Sequence, residues 1–405
     1  MTDIAAPPIR RLSTGEFIAL MGMMFATIAF SIDAMLPALP DIAAELTPGD
    51  ITYAQLVITS FVLGLGLGTF MSGPISDVVG RKPVILGGAV LYIVGAALAW
   101  SAPTMEMLVA ARILQGLGAS GPRVVSMAVI RDLYSGREMA KIVSFAMLIF
   151  TVFPAVAPLI GHWIIEAFDW RAIFLAFLVF SGISVTWFSV RQAETLPAPL
   201  RRPLNFAAIW DGTKEALGLR QMQLSILVQS MIFGLLFGTI SSIQQIFDLT
   251  YGQGAQFHWF FFAIAVLAAP AAPMNGRLVT RLGMRPLIRR ALWAQVALSG
   301  LIVTVLASAA FGEAEFWLYF VWTVSVFALM GFTIGNLNAL ALEPLGHIAG
   351  LAASLMGGLA TVAGAVLGAL AGQFYNGTAL PLALAVLILS FIAAVIMRYM
   401  PREKL

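Results

Sequence analysis

About twelve runs of roughly 17–26 mostly apolar residues, separated by short polar stretches, leave this chain one way to fold. Each run is long enough to cross a hydrocarbon core of about 30 Å as a helix. In lipid a helix satisfies its own backbone donors and acceptors, which an open sheet edge does not. The runs fall at 17–39, 53–74, 84–100, 107–130, 142–165, 172–190, 223–247, 258–278, 287–307, 316–340, 350–375 and 380–399. The 405 residues are 60% hydrophobic and 11% charged, against roughly 45–50% and 25% in soluble domains. The expected fold class is an all-α polytopic membrane protein.

A short motif divides the runs into two sets. Gly73-Pro74-Ile75-Ser76-Asp77-Val78-Val79-Gly80-Arg81-Lys82 returns in degraded form as Gly276-Arg277-Leu278-Val279-Thr280-Arg281-Leu282-Gly283-Met284-Arg285. Each copy lies between two apolar runs. The chain therefore reads as two pseudo-symmetric six-helix bundles, residues 1–190 and 222–405. A cytoplasmic linker at 191–221 joins them, where Pro197, Pro199 and Pro203 cluster with Arg201, Arg202 and Lys214. Within it, residues 211–219 are predicted as a short interfacial helix. Pro154 and Pro158 in the fifth run, and Pro270 and Pro273 in the eighth, are expected to interrupt helices at matching positions of the halves and so to flank a central pathway. Gly64, Gly68 and Ser72, like Gly364, Gly368 and Gly372, stack on one helix face, which serves either static close packing or sliding.

The formal charge of +3 does not point to nucleic acid. Cations such as Arg81, Lys82, Arg131, Arg137, Arg191 and Arg285 fall in alternate loops. The loops between them carry Asp41, Glu45, Glu106, Glu166, Glu313 and Glu315, with Arg171 as their one clear cation. By the positive-inside rule both termini and the linker are expected in the cytoplasm. Arg10-Arg11 then precedes a retained first helix rather than a cleaved signal. There are no cysteines, and the three histidines, His162, His258 and His347, lie far apart in the chain. Neither a metal site nor a cofactor is expected. No nucleophile–base pair suggests an enzyme.

Two charges inside apolar runs are the main candidates for chemistry. Asp33 lies about 24 Å along the first helix from Phe17. A carboxylate buried in the membrane costs roughly 2.5–3.5 kcal/mol on the insertion scale, so it either lines a wet, proton-exchanging cavity or marks the outer interface. Arg112 keeps its charge at any relevant pH and needs a carboxylate, a carbonyl or water; Gln115 lies one turn along. In the hairpin, Gly73, Gly80 and Pro83 shape the turn. Asp77 is placed to meet a helix N-terminus or arginines such as Arg131 or Arg137, alongside Arg81 and Lys82. His162 reads as an interfacial donor or a titrating group, and Glu343 as a loop charge. Asn336, Asn338, Gln229, Gln244 and Gln245 are further pathway candidates. Phe233, Phe237, Met24 and Met35 are either cavity contacts or core.

These residues resemble the major facilitator superfamily, within it the twelve-span drug:proton antiporters of the bicyclomycin and chloramphenicol resistance branch. Gly73-x3-Asp77-x2-Gly80-Arg81-Lys82 is similar to the superfamily's loop 2–3 signature, and Arg112-x2-Gln115-Gly116-x-Gly118-Ala119 to its fourth-helix motif. Ser31-Ile32-Asp33 through Pro40 resembles the first-helix motif of drug exporters, and Val129-Ile130-Arg131-Asp132-Leu133-Tyr134 the segment after the fourth helix. The antiporter motif of the fifth helix, Gly-Pro-x-x-Gly-Gly, here reads Ala157-Pro158-Leu159-Ile160-Gly161-His162, with His162 in place of the second glycine.

The resemblance implies a major facilitator fold and a monomer in a bacterial inner membrane, exporting small, mostly apolar compounds against protons. It implies that Asp33 is the proton-carrying, substrate-competing carboxylate and Arg112 its electrostatic partner. Asp77 with Arg81 would form the cytoplasmic gate. The expected cavity residues are Asp33, Gln115, Met35, Phe233, Phe237 and Asn336. A transporter of the same fold handling a sugar or amino acid, or running as an importer, is the alternative; a membrane enzyme or sensor is the more distant one.

Overall fold

The computed structural model describes residues 12–48, 50–201, 206–308 and 310–401. Arg10, Arg11, Arg202, Pro203 and both chain ends, on which the topology expectation partly rests, lie outside the described residues. Among the described residues eleven stretches are long and apolar enough to cross a membrane. One of them, Glu313–Gln373, is two helices joined by a 3-10 turn at Glu343–Ile348. The spanning helices are α1 (Thr14–Asp33), α2 (Leu56–Val79), α3 (Arg81–Trp100), α4 (Met105–Leu133), α5 (Gly136–Ala167), α6 (Ala172–Arg191), α7 (Arg220–Gln245), α8 (Phe257–Ala268 and Ala271–Leu282), α9 (Met284–Ser308), α10 (Glu313–Leu342), α11 (Ala349–Gln373) and α12 (Leu380–Ile396). A short helix, Leu39–Leu46, follows α1, and Phe206–Gly218 connects the halves, starting five residues before the predicted stretch.

The packing repeats itself after six helices. α1 packs on α5 and α6, α2 on α4, and α3 on α4 and α6. In the second half α7 packs on α11 and α12, α8 on α10, and α9 on α10 and α12. Between the halves α2 runs along α11, and α5 packs on the first half of α8, two contacts that the same shift interchanges. The hairpin repeat has a backbone cause. Gly80 and Gly283 end α2 and α8 at φ of 107° and 78°, a left-handed region open to glycine at no steric cost.

This correspondence corrects one expectation. α5 is equivalent to α11, and α8 to α2, so the prolines of α5 and α8 do not occupy matching positions; α5 packs on the first segment of α8, ahead of Pro270 and Pro273. Pro154 and Pro158 sit inside a continuous α5, as membrane helices allow where neighbours supply the lost bonds. α8 does break, at Ala269–Pro270, and Pro273 falls in the first turn of its second segment, where no intrahelical donor is required.

The small-residue stripes hold each half together. Gly64 lies against the carbonyl of Ile113 on α4, and Gly68 against Leu117 and Ser120. The Ser72 and Ser120 hydroxyls are 2.7 Å apart. Gly364 and Gly368 admit Phe233, Phe237 and Gly238 of α7 in the same way. A different face of α2 meets α11, where Gly66 touches Val362, Phe70 touches Gly358 and Gly73 faces Ser354.

A Cβ on Gly64 would lie 2.1 Å from the Ile113 carbonyl oxygen, and one on Gly116 would lie 2.0 Å from that of Phe61. Both obstacles are backbone, which cannot turn aside. Gly64→Leu and Gly116→Leu should each destabilise the fold by about 2 kcal/mol or more, read as a lower melting temperature in detergent. Gly182→Leu, at a position with nothing within 4 Å, should leave it unchanged.

Candidate functional site

Arg112 lies at the centre of the first half and is fully buried. Its Nε donates to the carbonyl of Val57 on α2 at 2.9 Å, Nη2 to the carbonyl of Ser31 on α1 at 2.8 Å, and Nη1 to Gln115 Oε1 at 2.6 Å. The Phe61 ring centroid is 4.4 Å from the guanidinium carbon. Gly116 brings α4 close enough to α2 for this reach. Ser31 also shares a 2.6 Å hydrogen bond with Tyr92 of α3. Four helices thus converge on one cation through neutral oxygens and a ring.

Asp33 is the last residue of α1, before the chain turns through Leu36–Ala38 into Leu39–Leu46. It is 4% exposed. The expectation that Arg112 pairs with it is not met: among the described residues no basic nitrogen lies within the 4.0 Å of an ion pair. The Arg112 guanidinium is committed to backbone and Gln115. Gly161 of α5 presses on the next residue, since a Cβ there would lie 2.2 Å from the Ala34 carbonyl oxygen. Pro158 lies one turn earlier in the same helix.

The remaining cavity candidates separate. Met35 and Met24 are buried core. Phe233 and Phe237 stack with centroids 5.4 Å apart, each 8% exposed. Asn336 donates to Asn275 Oδ1 at 2.7 Å, tying α10 to the second segment of α8. Buried Gln229 Oε1 has no hydrogen-bond partner among the described residues. Gln244 lines a cavity of about 390 Å³ with Leu39, Pro40, Ala43, Gln55 and Asp248.

At the hairpin, Arg81 organises the charges. Its guanidinium bonds Asp77, Ser76 and, at 3.1 Å, Asp132 at the end of α4. Asp77 therefore meets Arg81 rather than Arg131 or Arg137, and the Arg131 side chain is exposed. The backbone N–H groups of Arg81 and Lys82 donate to the Glu194 carboxylate at 2.9 and 3.0 Å. Lys82 Nζ donates to the carbonyls of Ser189 and Gln192. Gly73 stands apart from these charges, on the α11 contact. The second half repeats the theme with Arg285 3.7 Å from Glu343, so Glu343 is a tied group rather than a loose loop charge.

The opposite, acidic face binds the halves together. Gln55 Nε2 donates to Gln245 Oε1 at 2.6 Å, and Gln373 Nε2 to the Thr52 carbonyl at 3.1 Å. His162 and His258 stack with centroids 3.9 Å apart. Sequence reasoning missed Glu194, the acid in a basic loop, and Tyr92. It also passed over Arg123, which is half-buried three turns from Arg112 on the same side of α4; with helical periodicity near 3.6, that spacing was the available signal. Arg123 has no ion-pair partner among the described residues. Nothing in the sequence announced that His162 and His258 meet.

The model of the Major Facilitator Superfamily matches residues 19–369. The chain is 32% identical to a bicyclomycin resistance protein homolog of Haemophilus influenzae over 74% of its own length and 75% of that protein. It is 35% identical to the multidrug resistance protein MdtL of Escherichia coli over 41% of its own length and 42% of that protein. The fold resembles the crystal structure of a D-xylose-proton symporter, with TM-score 0.76 and 14% identity over 96% of this chain and 98% of that one. It also resembles the human organic anion transporter MFSD10, with TM-score 0.64 and 17% identity over 96% of this chain and 100% of that one.

The two buried charges should respond differently to mutation. Arg112→Lys, which loses the planar fork, should cost about 1–3 kcal/mol of stability. Asp33→Asn should leave the melting temperature nearly unchanged, because no ion pair is broken. Thermal unfolding of both purified variants checks this.

Proposed function

Because the chain belongs to the Major Facilitator Superfamily, a family of multi-pass membrane transporters, we propose that it is a proton-coupled antiporter exporting small, mostly apolar compounds of amphenicol- or bicyclomycin-like character. The observation that carries the reading is Asp33, a carboxyl buried in a spanning helix without a cation partner among the described residues. A carboxylate held by an arginine is locked in its charged form, whereas one left unpaired in low dielectric gains and loses its proton as its surroundings change. Similarity to a bicyclomycin resistance protein homolog and to a multidrug resistance protein supports export of such compounds.

In this reading the basic face is cytoplasmic and residues 191–221 are the linker between two rocking bundles of a monomer in a bacterial inner membrane. Asp33 carries the exchanged proton. Arg112, held to Gln115, keeps the first bundle rigid around it. Phe233 and Phe237 supply apolar wall, and Asp77, Arg81 and Asp132 form the first bundle's part of the cytoplasmic gate. One proton entering is worth about 2.3 kcal/mol per 100 mV and about 1.4 kcal/mol per pH unit. That sustains a neutral compound at a gradient of roughly 50- to 500-fold.

Reconstituted vesicles carrying an internal pH dye test the reading. Neutral amphenicol-like compounds should evoke proton flux in the wild type and not in Asp33→Asn. Absence of flux with neutral and cationic compounds alike, from folded protein, would redirect the assignment to a metabolite or another driving ion.

A further inference from the structure

The acidic face closes through two contacts of different kinds. Gln55, Gln245, Thr52 and Gln373 are neutral amides and hydroxyls, indifferent to pH. The other contact is the His162–His258 stack, in which one ring comes from α5 and the other from α8 of the opposite half. Their centroids are 3.9 Å apart and the planes differ by 15°. His258 is 7% exposed and the His162 side chain 28%, so the stack is more covered on its α8 side than on its α5 side.

Neutral imidazoles stack as flat, weakly polar rings. The charged groups around them are few. On α5, Glu166 Oε1 lies 3.6 Å from His162 Nε2 and compensates one positive charge. On α8 the next ring is Trp259, centroid 5.5 Å from His258, which carries no charge. α10, packed on the same segment of α8, holds Tyr319 and Glu313, and its Glu315 accepts from Tyr251. α1, packed on α5, brings Asp33 beside Ala34. In the loops Arg171 is engaged by Glu45, and Asp169 caps the start of α6. Two protons on the stack would therefore place like charges 3.9 Å apart with a single carboxylate, Glu166, beside them.

We propose that His162 and His258 form a proton-binding site separate from Asp33, whose double protonation parts α5 from α8 and opens the acidic face. The linkage has a definite sign. Two imidazolium rings with centroids 3.9 Å apart repel each other, so charging both rings opposes closure and relieving that charge favours it. Gly161 transmits the movement, because it touches the Ala34 carbonyl next to Asp33. That the acidic face is external rests on the orientation proposed above; the parting itself does not.

The chain has no cysteine, so a pair introduced at Phe168 and Gln256, both exposed, carries two spin labels at the ends of α5 and α8. Pulsed EPR distances on the full chain in nanodiscs, from pH 8 to 5.5, should show a longer-distance population growing several-fold with a midpoint near the imidazole range. His162→Phe and His258→Phe keep an aromatic stack with a single titrating ring and should stay short throughout. Asp33→Asn should still widen. A distribution independent of pH in the wild type, widening that persists in either folded histidine variant, or widening abolished by Asp33→Asn overturns the proposal. No substrate or gradient enters the measurement, so its failure is distinct from failure of the exporter reading.

Discussion

The first half of this protein is built around a buried guanidinium. Removing a cation from water is costly unless its donors are satisfied, and Arg112 meets that requirement with carbonyls from two helices, a glutamine and an aromatic face. The small residues at Gly64, Gly68 and Gly116 follow from it, since α4 must approach α2 within backbone contact for the fork to reach. The same commitment frees Asp33. With Arg112 occupied by neutral oxygens, the acid at the end of α1 is left without a fixed countercharge, as a proton carrier requires.

Motion in such a structure belongs where contacts are exchangeable. Most of the stripe residues on α2 and α11, Gly64, Gly68, Gly364 and Gly368, pack within their own half, which suits the proposed rocking of two bodies. The interface uses other faces, α2 on α11 and α5 on α8, and these are interchanged by the internal two-fold relation. At the acidic face the interface is polar and titratable. α5 packs on the first segment of α8, which starts at that face, and the break at Ala269–Pro270 lets the second segment, running to the basic face, follow α10 through Asn275 and Asn336.

The helices were legible because an apolar run of some twenty residues has no other stable form in lipid. The hairpins were legible because only glycine is at ease at φ near +100°, and Gly80 and Gly283 mark both. Partners were less so. Asp33 and Arg112 read as a pair because each is a lone charge in an apolar run, yet carbonyl oxygens, which every residue carries and no sequence displays, satisfied the arginine. Asp77 turned to Arg81 on its own hairpin because the turn at Gly80 brings them within a helical turn. The proline positions misled because apolar runs were compared by shared proline content rather than by packing. The histidine stack was invisible for a simpler reason: residues 96 positions apart meet only once the two halves are docked.

The central claim is that Asp33, free of Arg112, surrenders a proton when substrate occupies the pathway. Proton release into weakly buffered detergent solution on addition of a transported compound measures this directly. The account predicts about one proton released per compound bound by the wild type and none by Asp33→Asn at equal occupancy. Equal release from both proteins, or binding without release in the wild type, would contradict it.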